Sequence, residues 1–223
     1  MEPREPRPRP PWPLFDLVLT TPRLTLRVPT DDDLSGLLDA IDAGIHGADE
    51  MPFSIPWTDV APEPRRLKAL QHWWGARANW SADDWHLSLA VFCEGSPIGV
   101  QELLAARFPL LREVSTGSWL TQALQGQGLG KEMRAAVLYL AFEGLGASYA
   151  HSGAFDDNLS STSVSRALGY RENGFRLEAP RGQPRRLTNF VLSREEWLAR
   201  SSLFPPTAID GLERCRHMFE AEP

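Results

Sequence analysis

The chain has 223 residues, 42% of them apolar, and a formal net charge of −6 at pH 7, which is enough for one domain with a substantial core. Its acidic balance argues against sequence-independent binding to nucleic acid or an acidic membrane, because those partners need a basic excess. The apolar runs fall far short of the roughly 20 residues of a membrane span, and the two cysteines match no metal or disulfide spacing, so we expect a cytoplasmic protein without a metal.

The chain begins with a proline-rich segment, residues 1–13, which predicts a disordered arm tethered by Trp12. Apolar and polar residues then alternate over 17–28, as is typical of a strand. Thr30, with Asp33 at the capping-box position, predicts the start of a helix. The apolar face of that helix consists of Leu34, Leu37, Leu38, Ile41 and Ile45.

An aromatic, proline-rich loop over 47–64 leads into a second predicted helix, residues 63–80. Trp73 and Trp74 on this helix are expected in the core, since aromatic residues at helical spacing usually pack inside. Three strand-like stretches follow and predict an antiparallel meander: 87–92, 98–106 and 113–120.

A glycine-rich segment, Gln125-Gly-Gln-Gly-Leu-Gly-Lys131, comes between the last of these strands and a long predicted helix. Glycines let the backbone approach a ligand closely, and the free N–H groups of a helix N-terminus favour anions, so the segment predicts a phosphate site. The spacing is too short for a P-loop, and Glu132 stands where a magnesium-binding hydroxyl would be needed. A dinucleotide-binding loop would need its third glycine at the position of Lys131.

The last third predicts a strand over 149–155, a helix, two strands over 171–177 and 186–192, and a helix from Ser193. Asn158 is a good N-cap for the first of these helices, and Gly169 is a good left-handed stop. The order of elements indicates a mixed α/β fold.

Two motifs in this order resemble those of the GNAT (Gcn5-related) N-acyltransferases. The first is Gln-x-x-Gly-x-Gly at Gln125, Gly128 and Gly130; the second is Asn-x-x-Ser at Asn158 and Ser161, in a helix ending in Leu-Gly-Tyr at 168–170. The resemblance extends from residue 12 to residue 216. It looks closest to a mycobacterial GNAT succinyltransferase, within a group similar to the amino-terminal acetyltransferases of ribosomal proteins.

The resemblance implies an α/β (α+β) GNAT fold with a mixed, largely antiparallel sheet of about 6–7 strands flanked by about 4 helices. Residues 14–200 would form the GNAT domain. Residues 201–223 would be a C-terminal tail that packs on the domain or on a partner subunit.

The resemblance also implies acyl-CoA, either acetyl-CoA or succinyl-CoA, as the co-substrate. The pantetheine arm would lie against Trp119 and Leu120, with a backbone N–H near Leu120 polarising the thioester carbonyl. The cofactor-binding residues would be Trp119, Leu120, Gln125, Gly126, Gln127, Gly128, Leu129, Gly130, Lys131, Asn158 and Ser161.

The expected reaction is attack by a neutral amine on the thioester, followed by departure of a thiolate. Ser165 stands where other family members place a catalytic tyrosine, so Ser161 is the candidate hydrogen-bond donor to the thiolate, with a simple helix-capping role as the alternative. Glu102 is the first candidate for the base and Glu113 the second. The five histidines are scattered along the chain.

The acceptor is expected to be a small-molecule amine, a protein amino terminus or a lysine. Arg65, Arg66 and Arg77 are candidate clamps for a succinyl carboxylate. A catalytically weak acyl-CoA-binding or interaction module is the competing interpretation, because Ser165 replaces the tyrosine and no base is evident. A homodimer or a higher homo-oligomer is expected.

Overall fold

The structure is a computed structural model that describes residues 11–220, and these contain one nine-stranded sheet and seven α-helices. The strands are β1 (Val18–Thr20), β2 (Leu24–Arg27), β3 (Asp84–Cys93), β4 (Ser96–Ala106), β5 (Glu113–Leu120), β6 (Tyr149–Phe155), β7 (Arg171–Glu178), β8 (Arg185–Ser193) and β9 (Ala208–Asp210). The helices are α1 (Asp31–Asp42), α2 (Pro62–Ala78), α3 (Phe108–Leu111), α4 (Leu129–Tyr139), α5 (Leu159–Leu168), α6 (Arg194–Leu198) and α7 (Leu212–Cys215).

The strand order is β7-β8-β6-β5-β4-β3-β2-β1-β9, and only the pairing of β5 with β6 is parallel. Helices α1 and α2 pack on one face of the sheet over a small core that includes Leu37, Trp73 and Val100. Helix α4 packs on the opposite face over the main core, and α5 lies beside α4. A mixed, largely antiparallel α/β sheet was expected and is confirmed.

Strands β5 and β6 pair over only three residues each and then separate. The pairs run from Glu113 with Tyr149 to Ser115 with His151, and no further residue of β5 pairs with β6. The carbonyls of Gly117 and Leu120 accept from the side chains of Gln101 and Gln125. The other backbone groups of residues 116–120 on the edge that faces away from β4 are offered to whatever fills the space beside it. We call this space the wedge, bounded by residues 116–120 and 152–155.

The counts that the resemblance implied, about 6–7 strands and about 4 helices, were too low, because the chain has additional elements of one turn or three residues. The strand predicted over 17–28 divides at 21–23 into β1 and β2, and β9 adds a short strand beyond β1. Helix α6 is the short helix predicted from Ser193, whereas the unexpected helices α3 and α7 contain only four residues each.

Local signals placed several element ends correctly. The Thr30 backbone N–H donates to Asp33 Oδ2 at 2.7 Å, as a capping box requires, and α1 begins at the next residue. Gly169 ends α5 with φ 98°, in the left-handed region. Trp73 is 3% exposed, as predicted, whereas Trp74 is 44% exposed and the prediction that it lies in the core was wrong.

The two ends of the chain differ in how much of them the structure describes. The predicted disordered arm lies almost wholly outside the described residues, and within them Trp12 packs edge-on against Phe15 and Trp80. In the C-terminal segment, β9 pairs with β1, while Cys215 and Phe219 are fully buried in the main core. None of the helices within residues 11–220 is long and apolar enough to cross a membrane.

Candidate active site

The glycine-rich loop presents a run of unused backbone donors. Gly126 and Gly128 have φ of 76° and 80°, a conformation that glycine adopts without strain. In the described part of the chain, no backbone N–H from Gly126 to Lys131 donates to a protein acceptor. Because these groups face outward at the N-terminus of α4, they form a concentrated anion-binding surface.

Gln125 braces this loop with its side chain. Its Nε2 donates to Ile45 O at 2.7 Å and to Leu120 O at 2.9 Å, and its backbone N–H donates to Gln122 O. The residue therefore ties the loop to the end of β5 and to the segment after α1.

A buried glutamate also holds the loop, and its partner could not be recognised from the sequence. Glu132 is 3% exposed, and its Oε1 accepts from the Thr21 hydroxyl at 2.6 Å. Its Oε2 lies 2.7 Å from Arg23 Nε and 2.6 Å from Nη2. Arg23 Nη1 also donates to Gln127 O at 3.0 Å, so the β1–β2 turn and the loop are joined through one ion pair.

Trp119 and Leu120 lie on opposite faces of β5. Leu120 is 6% exposed and belongs to the main core, whereas Trp119 packs against the small core under α1 and α2. Consecutive side chains of a strand point to opposite faces, so only the backbone of this pair can line the wedge continuously.

Trp119 belongs to an aromatic cluster on the α1/α2 face. Its ring lies 6.5 Å from that of Trp57, which lies 5.2 Å from Phe53, and His46 lies 5.8 Å from Phe53. The predicted loop aromatics thus meet the sheet where β5 leaves β6.

Glu102, the first candidate for the base, lies on this same face between two histidines. Its Oε1 is 2.9 Å from His72 Nε2 on α2 and 2.9 Å from His86 Nε2 on β3. Its Oε2 would lie 3.0 Å from a Cβ placed on Gly117, its partner across the β4–β5 ladder. The glycine therefore leaves room for the carboxylate beside the wedge.

The charges of this group are strongly coupled. Burial acts to raise the pKa of Glu102, but the hydrogen bonds and charges of His72 and His86 outweigh it and lower the pKa to about 2. The hydrogen bond to Glu102 raises the pKa of His72 above its ordinary value. Glu102 is therefore an anion at neutral pH, and it favours the protonated form of His72 beside it.

The three side chains also form the one group in residues 11–220 with the composition and spacing to hold a metal ion. The ligand atoms of His72, His86 and Glu102 all lie within 4.8 Å of one another. The two histidines line an open cavity of about 670 Å³, together with Gln71, Asn79, Asp84 and Ser115. The expectation of a metal-free protein stays a prediction.

The Asn158 helix brings two serines toward the other side of the wedge. Asn158 Oδ1 accepts the Ser161 backbone N–H at 3.1 Å, so Asn158 is the N-cap and Ser161 is the third residue of the helix. Ser165 lies one turn further along the same face and is fully buried. Its hydroxyl accepts from Arg134 Nη1 at 3.0 Å.

The arginines considered as carboxylate clamps are already paired. Arg65 lies 2.7 Å from Asp42, Arg66 contacts Asp39 and Asp42, and Arg77 lies 2.7 Å from Asp31. The second candidate for the base is also engaged, since Glu113 lies 3.3 Å from His151.

A family model described as the acetyltransferase (GNAT) domain matches residues 23–171. The fold is also that of solved structures. Mycobacterium smegmatis RimJ in complex with CoA-disulfide has a TM-score of 0.69 and 18% identity, over 91% of this chain and 94% of that one.

Two further structures show the same likeness. RimL, the ribosomal L7/L12 alpha-N-protein acetyltransferase in complex with coenzyme A, has a TM-score of 0.64 and 16% identity, over 79% of this chain and 97% of that one. A GCN5-related N-acetyltransferase from Brucella melitensis has a TM-score of 0.66 and 18% identity, over 88% of this chain and 86% of that one. Because the family model spans well over half of the chain, the protein belongs to the GNAT acetyltransferase family.

Proposed function

We propose that the protein transfers an acyl group, acetyl or succinyl, from acyl-CoA to a primary amine by direct attack of the amine on the thioester. The observation that carries this proposal is the continuity of the outward N–H groups of Gly126 to Lys131 with the unpaired edge of β5. An anion at the loop and an extended, amide-bearing arm in the wedge would satisfy both at once. CoA has its diphosphate and its pantetheine arm in that order.

The loop suits a diphosphate in shape as well as in charge. Apart from its chain neighbours and the backbone of its own helix, a Cβ on Gly130 would meet no atom of the described residues within 4 Å, so the space beside Gly130 is open. Each favourable anion contact at a helix N-terminus is worth about 0.3–1 kcal/mol, and several act together here.

The Glu102 group would serve the amine. The anion of Glu102 attracts a cationic acceptor to the α1/α2 face, and neutral His72 can take the proton that the amine must lose. We therefore extend the proposed base from Glu102 alone to Glu102 with His72.

The cost of deprotonation favours an α-amino group as the acceptor. At pH 7 a lysine, with an ordinary pKa near 10.4, costs about 4.6 kcal/mol to neutralise, whereas an α-amino group near 7.8 costs about 1 kcal/mol. RimL is an acetyltransferase of a ribosomal protein amino terminus, and this acceptor class agrees with the preference. A protein amino terminus is our first choice of acceptor, ahead of a small amine or a lysine.

The choice between acetyl and succinyl depends on a counter-charge for the succinyl carboxylate. Because Arg65, Arg66 and Arg77 are held by aspartates, a succinyl group would have to displace an ion pair to use them. Acetyl transfer needs no such change and is the first choice. Succinyl is the second choice, on the resemblance inferred from the sequence alone.

A direct experiment is to incubate the protein with acetyl-CoA or succinyl-CoA and a panel of peptide amino termini, lysine peptides and small amines. Amine-dependent release of CoA thiol, with the acyl mass appearing on the acceptor, is the expected result. Tight CoA binding without thiol release from any member of the panel would instead support the acyl-CoA-binding module, the second candidate, which Ser165 at the tyrosine position favours.

We also propose that the protein forms a homodimer or a higher homo-oligomer through the sheet edge at β7. Every residue from Arg171 to Leu177 is exposed, and Phe175 and Leu177 are 56% and 68% exposed. Exposed apolar side chains on an edge strand are costly for a monomer. The monomer mass is 24.9 kDa, and light scattering of the wild type should give at least twice this mass. Phe175→Ser should lower the measured mass toward that of the monomer.

A further inference from the structure

Arg134 on α4 is a buried cation without a counter-ion. The residue is 5% exposed, and within residues 11–220 its guanidinium contacts no carboxylate. Nη1 donates to Ser165 Oγ at 3.0 Å and Nη2 to Ser118 Oγ at 3.3 Å. Nε is buried with no acceptor in that part of the chain.

The surroundings of Arg134 supply no negative charge at physiological pH. Burial raises the pKa of Tyr170 to about 12, so this neighbouring phenol stays neutral. Burial also lowers the pKa of Arg134, yet arginine remains protonated in proteins. A buried charge that is not paired is costly to the folded protein, so an anion bound beside Arg134 would be favoured.

The position of this cation relates it to the wedge. Ser118 lies in the stretch of β5 that has no partner on β6, and Ser165 lies on the face of α5 that also carries Ser161. Arg134 on α4 therefore connects β5, through Ser118, with α5, through Ser165. If CoA binds with its diphosphate at the glycine loop, its sulfur-bearing end lies in this wedge.

We propose that Arg134 and Ser165 form an anion site for the thiolate that leaves CoA. The inference rests on the proposed function, because that function supplies both the thioester and its orientation. Ser165 is fully buried in the ligand-free structure, so its hydroxyl reaches the sulfur only when CoA enters the wedge and uncovers it. Arg134 then acts through Ser165 as the fixed positive charge. A hydroxyl can accept from Nη1 and donate to sulfur at the same time.

The step balances without a strong acid. The amine nitrogen forms a bond to the thioester carbon and loses its proton to His72. The C–S bond then breaks with its electron pair on sulfur, and the thiolate is held by the Ser165 hydroxyl and the Arg134 charge until water protonates it. The absence of a tyrosine at position 165 is then no obstacle to catalysis, because charge stabilisation replaces proton donation.

The test compares the affinity of CoA with that of desulfo-CoA, which has hydrogen in place of the thiol, by calorimetry across the ordinary thiol pKa of about 8.5. The site should bind the thiolate in preference to the thiol. The affinity for CoA relative to desulfo-CoA should therefore rise by up to about tenfold per pH unit below that pKa. Arg134→Met and Ser165→Ala should each remove the rise.

Ser118→Ala is the matched control, because it removes a hydroxyl from the same guanidinium and leaves the charge and Ser165 in place. It should keep the rise in relative affinity. The melting temperature of the ligand-free Arg134→Met protein should not fall, since an unpaired buried charge is replaced by an apolar side chain of similar length. If Arg134→Met does not fold, the comparison of Ser165→Ala with the wild type still tests whether the rise in relative CoA affinity depends on this site.

The outcomes separate the two proposals. Failure of the wild type to bind either ligand refutes the proposed function and this site with it. Binding of both ligands with the same pH dependence refutes the thiolate site alone. Loss of succinyl transfer but not acetyl transfer in Arg134→Met, with the pH dependence unchanged, would assign the guanidinium to an acyl carboxylate and overturn the proposal.

Discussion

Replacing Glu132 with glutamine should destabilise the protein and weaken its binding of CoA together. The glutamine can still accept from Thr21 and from the Arg23 backbone, but its amide nitrogen would face the Arg23 guanidinium, so a donor meets a donor. The carboxylate is buried, whereas the Arg23 side chain is 48% exposed and can turn to solvent. Hydrogen bonds to charged groups contribute about 1.5–3 kcal/mol each, and with this discount we expect a total loss of about 2 kcal/mol.

A loss of that size converts to a fall in melting temperature of about 4–8 °C for a domain of this length. Once Arg23 is no longer held by Glu132, its hydrogen bond to Gln127 O is also lost. The glycine-rich loop is then less ordered without ligand, and CoA must order it on binding. An ordering cost of about 0.5–1.5 kcal/mol gives a dissociation constant for CoA that is about 2- to 12-fold higher.

The assays are thermal unfolding and calorimetric titration with CoA, and the matched control is Glu213→Gln. That residue forms an ion pair with Arg216 in which its side chain is 80% exposed, so its loss should leave both the melting temperature and CoA binding nearly unchanged. Equal melting temperatures for the two variants, or an unchanged affinity in Glu132→Gln, would refute the view that Glu132 holds the loop.

Three further predictions concern catalysis. In the wild type, kcat/KM should rise as the pH passes the raised pKa of His72. Glu102→Gln should move this rise to lower pH and reduce kcat/KM by about 100-fold or more. A rise at the same pH in both proteins would show that Glu102 and His72 do not act together as the base. Gly117→Ala should displace the Glu102 carboxylate and lower kcat with little effect on CoA affinity, whereas unchanged kinetics would place Glu102 outside the site. Ser161→Ala should lower kcat at constant melting temperature, while Asn158→Ala should cost about 0.5–2 kcal/mol of stability as a lost cap; the reverse pattern would contradict both roles.

The same histidine couples pH to stability. The pKa of His72 is raised in the folded state, so the ion pair with Glu102 contributes its full stability below the ordinary histidine pKa of about 6.5 and loses it as the pH rises through the folded value. In Glu102→Gln the melting temperature should therefore approach that of the wild type at alkaline pH.

The parts of the site that the sequence predicted are those with local signals. The turn at Gly126 and Gly128 and the cap at Asn158 each depend on residues within one or two turns of chain. Their physical causes, a positive φ and an unpaired N–H, can be recognised in a short stretch of letters.

The parts that were missed depend on contacts between distant elements. Glu132 meets Arg23 across 109 positions, and the Glu102 group combines α2, β3 and β4, so the histidines appeared unrelated in the sequence. Arg134 follows the apolar Met133 and was not expected inside. It is buried because α4 is covered by the sheet on one side and by α5 on another, which a single-helix pattern cannot predict.

The most direct test of the central claim, that CoA is held by its diphosphate at the glycine-rich loop, is the CoA affinity of Gly130→Asp. The new side chain would enter open space, and an acidic residue in the first turn of a helix favours stability, so the melting temperature should be kept or raised. The account predicts that the wild type binds CoA and that Gly130→Asp loses this binding. An equal affinity in the two proteins would contradict it.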